Sequence, residues 1–78
     1  MRWTLKWGPV VYQDVLHWRT AGRLCAAILQ FAETNRGPVT RASPNDPRRL
    51  KLTVPGAVAL MNADPRTGVL LVTRAFPR

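Results

Sequence analysis

Arg48-Arg49-Leu50-Lys51-Leu52-Thr53-Val54-Pro55-Gly56 alternates cationic and apolar side chains and then closes on a Pro-Gly turn. On a strand, period-two alternation sends Leu50, Leu52 and Val54 to one face and Arg49, Lys51 and Thr53 to the other. One face can enter a core while the other presents a row of fixed positive charge. Such a row suits phosphate groups, and it also suits a plain solvated edge that resists aggregation.

The register of a hairpin around this segment follows from its turn. Pro55-Gly56 fits the two central positions of a type II turn. If Val54 pairs with Ala57, then Thr53 faces Val58, Lys51 faces Leu60 and Arg49 faces Asn62. The opposite face then collects Leu50, Leu52, Val54, Ala57, Ala59 and Met61, all apolar. A slip of one residue would drive Arg49 and Lys51 into the core, so the pattern pins the register.

Outward from the hairpin, Asp64-Pro65-Arg66-Thr67-Gly68 is a turn, and strand-like runs are expected at about 57–63 and 69–76. Residues 38–47 hold Pro38, Pro44 and Pro47 with Ser43-Pro44-Asn45-Asp46, and read as a loop. Upstream, Arg2-Trp3-Thr4-Leu5-Lys6-Trp7 alternates and reads as a first strand, stopped by Gly8-Pro9. Val11, Val15 and Trp18 recur at helical spacing, marking a helix from Pro9 to about Trp18. Thr20 suits the cap of a second helix, whose stripe is Leu24, Ile28 and Phe31, widened by Cys25, Ala27, Leu29 and Ala32. Asn35-Arg36-Gly37 supplies the stop, with Gly37 able to turn left-handed. The expected fold is α+β in the order β-α-α-β-β-β, a helical hairpin on one face of a small, mainly antiparallel four-stranded sheet. Residues 1–78 read as a single domain.

Composition narrows the partners. The chain is 46% hydrophobic and 21% charged, a globular balance. Twelve basic residues, ten of them Arg, against four acidic ones give a net charge of +8. That surplus favours nucleic acid or an acidic protein as partner. The single Cys25 excludes an internal disulfide, and one Cys with one His makes no zinc set, so no metal and no cofactor is expected. The longest apolar run, Leu24 to Leu29, is too short for a membrane span, and no signal-peptide core follows Met1, so a cytoplasmic setting is expected.

The ordered set resembles the RelE/ParE toxin superfamily of bacterial toxin–antitoxin systems. The resemblance rests on the Trp-bearing first strand, Pro9 opening a helix, the helix end Phe31-Ala32-Glu33-Thr34-Asn35-Arg36-Gly37, the hairpin Arg49-Leu50-Lys51-Leu52 with Gly56, and the strand Val69 to Arg74. It implies a toxin neutralised by a cognate antitoxin, as a homodimer or a toxin–antitoxin hetero-oligomer. The activity implied is ribosome-dependent mRNA cleavage. The alternatives are inhibition of DNA gyrase, or a toxin fold that has kept binding and lost catalysis. By the resemblance, two catalytic positions fall on Arg49 and Lys51 and another on Arg78. A further cationic position falls on Val58, and a catalytic Tyr has no counterpart within these 78 residues.

The residues themselves assign the chemistry unevenly. RNA cleavage through the 2′-hydroxyl needs a base, charge stabilisation at phosphorus and an acid for the leaving oxygen. Arg49 and Arg78 supply charge alone, because a guanidinium does not deprotonate in proteins. Lys51 is the candidate base. Arg48, Arg74 and Arg41 are candidate phosphate contacts. Arg74 shares its parity with Leu70, Val72 and Phe76, which leaves its face open. Arg36, Arg41 and Arg48 also suit an acidic segment of a protein partner. Val58 and Leu60 are expected as an apolar pair on the charged face. Trp3 and Trp7 are read as packing residues, and His17 as a cation favoured by the end of the first helix.

Overall fold

The computed structural model describes residues 2–16, 19 and 21–78, with Asp14 and Leu16 described by their backbone. Strand β1 (Thr4–Trp7) leads to helices α1 (Pro9–Leu16) and α2 (Ala21–Thr34). Strands β2 (Val39–Ser43), β3 (Asp46–Val54), β4 (Ala57–Asp64) and β5 (Val69–Pro77) follow. They form one five-stranded sheet in the order β1-β5-β4-β3-β2, antiparallel except for the parallel pair β1–β5. The α+β class and the helices packed on the sheet agree with the sequence reading. The strand count does not: it is five, not four.

The extra strand comes from the proline-rich segment. Val39-Thr40-Arg41 has the composition of a strand, and Pro38 and Pro44 delimit it rather than dissolve it. Pro44-Asn45 forms the turn, where the Asn45 N–H donates to Ser43 Oγ at 3.4 Å. Pro47 is accommodated because the β3–β4 ladder starts only at Arg49↔Asn62, and the β2–β3 register shifts between Arg41 and Ser43. Three prolines in ten residues thus mark strand ends and a bulge.

The predicted hairpin register is the observed one, from Arg49↔Asn62 to Val54↔Ala57. Gly56 has φ of 92°, the left-handed value that the second central position of a type II turn requires. Leu52, Val54, Ala57, Ala59 and Met61 are buried against the helices, and Leu50 is half-buried.

Leu24, Ile28, Phe31 and Ala32 of α2 form the buried stripe, each large side chain contributing about 1.5–3 kcal/mol by its removal from water. Leu29, expected to widen that stripe, is 50% exposed. The helix ends on Asn35, not on Gly37: Asn35 takes φ of 59° and its N–H donates to the Phe31 carbonyl at 2.8 Å. From α1, Val15 is fully buried. Tyr12 meets Trp7 edge-on with ring centroids 5.2 Å apart, tying the start of α1 to β1. Trp3, Leu5 and Trp7 pack against the core, as expected of the tryptophans of this strand. The proposed cap Thr20, the stripe residue Trp18 and the helix-end His17 lie outside the described residues.

β1 takes its place by long-range bonds. The Thr4 N–H donates to the Gly68 carbonyl at 2.7 Å, and the Gly8 N–H to the Val72 carbonyl at 3.0 Å. A Cβ on Gly8 would come within 3.3 Å of Val11 and 3.4 Å of the Val72 carbonyl, so glycine permits the chain to leave the sheet tightly into α1.

Candidate functional site on the open face of the sheet

The face turned away from the helices is built from the alternation of five strands. Cross-strand pairs share a face, so the register places Thr40, Lys51, Leu60 and Arg74 in one row. The next row holds Arg49, Asn62, Leu71 and Lys6. With strands about 4.8 Å apart, the α-carbons of Lys51 and Arg74 are about 10 Å apart, with Leu60 between them.

Arg74 reaches this face through an irregularity in β5. Ala63↔Leu70 and Met61↔Val72 place Leu70 and Val72 on the helix side, where both are fully buried. Leu60 is then paired with Arg74, so Thr73 is one extra residue in β5. That insertion reverses the parity: Ala75, not Arg74, returns to the helix side opposite Ala59, and Phe76 follows Arg74 outward. The Thr73 hydroxyl donates to the Leu60 carbonyl at 3.2 Å, a polar tie across the bulge.

Together these strands line a groove of about 670 Å³. Its walls include Arg49, Lys51 and Arg74, the Asn62 amide, and the hydroxyls of Ser43 and Thr73, over a floor that includes Leu60 and Leu71. No carboxylate or imidazole is among its described lining residues. Beside it the Asp46 carboxylate lies 3.6 Å from Arg49 Nε and equally 3.6 Å from Arg48 Nε. With both guanidiniums more than half exposed, these pairs are worth well under about 1 kcal/mol each and yield readily to another anion.

The sequence candidates therefore separate. Arg49, Lys51 and Arg74 converge. Arg78 does not: it lies one residue past β5, its N–H donating to the Gly56 carbonyl at 2.9 Å. Gly56 is four residues from Leu60 along β4, so Arg78 sits about 13 Å down the sheet from the Lys51–Arg74 row. Arg41 is paired with Leu50, which places it on the helix side. Arg48 alternates with Arg49 and lines a second pocket on the helix side instead. Val58, expected as exposed apolar surface, is only 4% exposed, flanked in its row by Thr53 and Phe76. The apolar surface here is Phe76, 41% exposed, with half-buried Leu60.

One cation went unremarked in the sequence. Lys6 is exposed on β1, and its pairing with Leu71 extends the basic face to the fifth strand. The alternation of Thr4 and Lys6 carried half of that signal; the other half is which strand β1 joins. Among the described residues no group of three His, Cys, Asp or Glu side chains gathers as a metal site. No described helix is long and apolar enough to cross a membrane.

No protein-family profile matches the sequence, and no curated protein matches it. A solved structure does resemble the fold: a chain of the toxin–antitoxin complex RelBE2 from Mycobacterium tuberculosis. It superposes with a TM-score of 0.69, covering 100% of both chains at 13% sequence identity. The two chains thus share a fold. At that identity the similarity is one of fold, and the functional argument rests on this chain's own residues.

Proposed function

We propose that this chain is the toxin of a toxin–antitoxin pair, acting in the cytoplasm as a RelE-like, ribosome-dependent mRNA endonuclease with an incomplete basic active face. The observation that carries the reading is the convergence of Arg49, Lys51 and Arg74 in one open groove on a RelE-type fold. Fixed cations at that spacing suit the backbone of a single-stranded RNA.

In this reading the 2′-oxygen attacks phosphorus, its proton passes to Nζ of Lys51 in its neutral amine form, and the bond to the 5′-oxygen breaks. Arg49 and Arg74 hold the charge that builds on the phosphorane oxygens. The departing 5′-oxygen takes its proton from water or the ribosome, because the groove offers no acid. Arg78, held at the far end of the sheet, serves as a distal RNA contact rather than at the reacting phosphate. Toeprinting on translating ribosomes tests the proposal. The wild type is expected to give defined cleavage, reduced on the order of 100-fold by Lys51→Ala and somewhat less by Arg74→Ala. Intact mRNA with the folded wild type would sink it.

The lack of an acid in the groove favours one alternative, a protein-directed poison of DNA gyrase, which needs no proton transfer of its own. Inhibition of supercoiling by purified gyrase, with mRNA left intact, would select it.

A further inference from the structure

A second cavity, of about 650 Å³, opens on the helix side of the sheet, away from the basic groove. It lies where the C-terminal end of α2 stops short of covering β3. Trp3, Val39 and Leu50, all half-buried, meet there with Phe31 and Ala63 to form an apolar floor. Arg36 and Arg48 stand on its rim, and Arg41 shares the face of Leu50 next to it. No acidic side chain is among its described lining residues.

The walls are fixed by bonds that do not depend on a ligand. Trp3 Nε1–H donates to Asn35 Oδ1 at 3.1 Å, and the Trp3 N–H to the Ala32 carbonyl at 2.7 Å. The Val39 N–H donates to the Gly37 carbonyl at 2.8 Å, and the Thr53 N–H to the Pro38 carbonyl at 3.1 Å. A cavity held in this way loses little freedom on filling. The Arg48 guanidinium is held by the exposed, 3.6 Å pair with Asp46, whose Oδ1 also accepts from the Arg48 N–H at 3.0 Å; an incoming carboxylate can replace the ion pair.

We propose that this cavity docks a short acidic peptide segment that inserts one bulky apolar side chain onto the Trp3–Leu50 floor and sets carboxylates against Arg36 and Arg48. The segment belongs to the partner that forms a complex with this chain, an assignment that rests on the toxin reading above. Charge complementarity favours it, since the chain carries +8 and the charged residues lining the cavity are Arg36 and Arg48, with Asp46 beside Arg48. The floor favours peptide over nucleic acid: beside Trp3 it is mostly aliphatic, and its other aromatic, Phe31, is only 6% exposed and offers no open face to a base. Because the cavity and the groove lie on opposite faces of one sheet, the docked segment leaves the groove uncovered.

The test is fluorescence anisotropy of a labelled peptide, Ac-EELFEE-NH2, titrated with the full chain. Expected are saturable binding that weakens with salt, and a loss of at least about tenfold in the double variant Arg36→Gln/Arg48→Gln. Comparable losses are expected when glutamine replaces glutamate in the peptide, or alanine its Leu-Phe pair. Both arginines are exposed, so circular dichroism of the variant is expected to match the wild type. Lys51→Gln is expected to bind the peptide normally. No saturation, equal affinity for the glutamine peptide, or a loss that follows Lys51 would each overturn the docking site. So would the loss of oligo-U binding in the Arg36→Gln/Arg48→Gln variant, which would make the rim an RNA contact. Growth arrest on expression is scored separately. Arrest without peptide binding overturns this inference alone, whereas binding without arrest leaves the site standing and removes the toxin reading.

Discussion

The two faces of the sheet are made by the same strands and behave as opposites. The helix side buries Leu52, Met61, Leu70 and Val72 with Leu24 and Ile28, and among the described residues no polar or charged side chain is buried. The open side carries Lys6, Arg49, Lys51 and Arg74, all exposed, over a floor that is only partly covered. Water removal drives the first face and is indifferent to which large aliphatic residue fills each place. The second face contributes little to folding, which leaves it free to be set by what it binds. Stability and function are therefore largely separable by parity along each strand, except at Thr73, where the parity reverses, and at Val58, which is buried on the open face.

Crossing the two faces should have the largest effect. Val72→Arg would aim a guanidinium at the core, where Val72 is fully buried, at a cost of about 3–5 kcal/mol or more. The expected outcome is loss of cooperative unfolding in urea. A Val72→Arg variant with wild-type stability would mean that β5 re-registers freely. By contrast deleting Thr73 removes only the extra residue, so Arg74 follows Val72 directly and stays opposite Leu60 on the open face, and Thr73→Ala removes only the bond to the Leu60 carbonyl, for about 1 kcal/mol.

Next in size is the contrast between one core and one surface change. Ile28→Ala is expected to lower unfolding free energy by about 3 kcal/mol, because Ile28 is fully buried. Lys51→Gln should move it by no more than about 0.5 kcal/mol in either direction. Chemical denaturation of the pair measures both. If they destabilise equally, the two faces are not the independent surfaces described.

The open face has its own readout. Replacing Arg49, Lys51 and Arg74 together by glutamine should reduce the salt dependence of oligo-U binding by a slope of about 2, from three contacts at about 0.7 each. A slope unchanged in the triple variant would place the RNA elsewhere. The smallest expected effect concerns Cys25. Burial pushes its thiol up, so the folded state favours the protonated form. That contribution to stability is complete below the ordinary thiol range and declines as pH rises through it. Alkylation near pH 8.5 should accordingly be slower in the folded chain than in urea. Equal rates would show that α2 opens readily on that side.

Several features could be read without coordinates because each is local. The hairpin register followed from Pro55-Gly56 and from the cost of burying Arg49 or Lys51. The stripe Leu24, Ile28 and Phe31 followed from helical spacing. The convergence of Arg49 with Lys51 was a consequence of the first. Other features misled for equally local reasons. Proline is the strongest breaker signal in a sequence, yet Pro38 and Pro44 bound β2 and Pro47 sits where β3 lacks a partner from β4. Leu29 fits a wide apolar stripe but lies beyond the angle that the sheet covers.

The sequence by itself determined which residues alternate, where the chain turns and that one sheet face must be cationic, because side-chain period and turn chemistry act over a few residues. Only the tertiary structure decided that Arg74 joins Arg49 and Lys51, that Arg41 and Arg48 stand on the other side, and that Lys6 lies in the row of Arg49. Those outcomes depend on a bulge in β5, on a fifth strand and on the pairing of β1 with β5. The pairing of β1 with β5 joins segments far apart in the chain, while the fifth strand and the bulge rest on which backbone hydrogen bonds form across two hairpins, and period-two patterning carries no record of any of them.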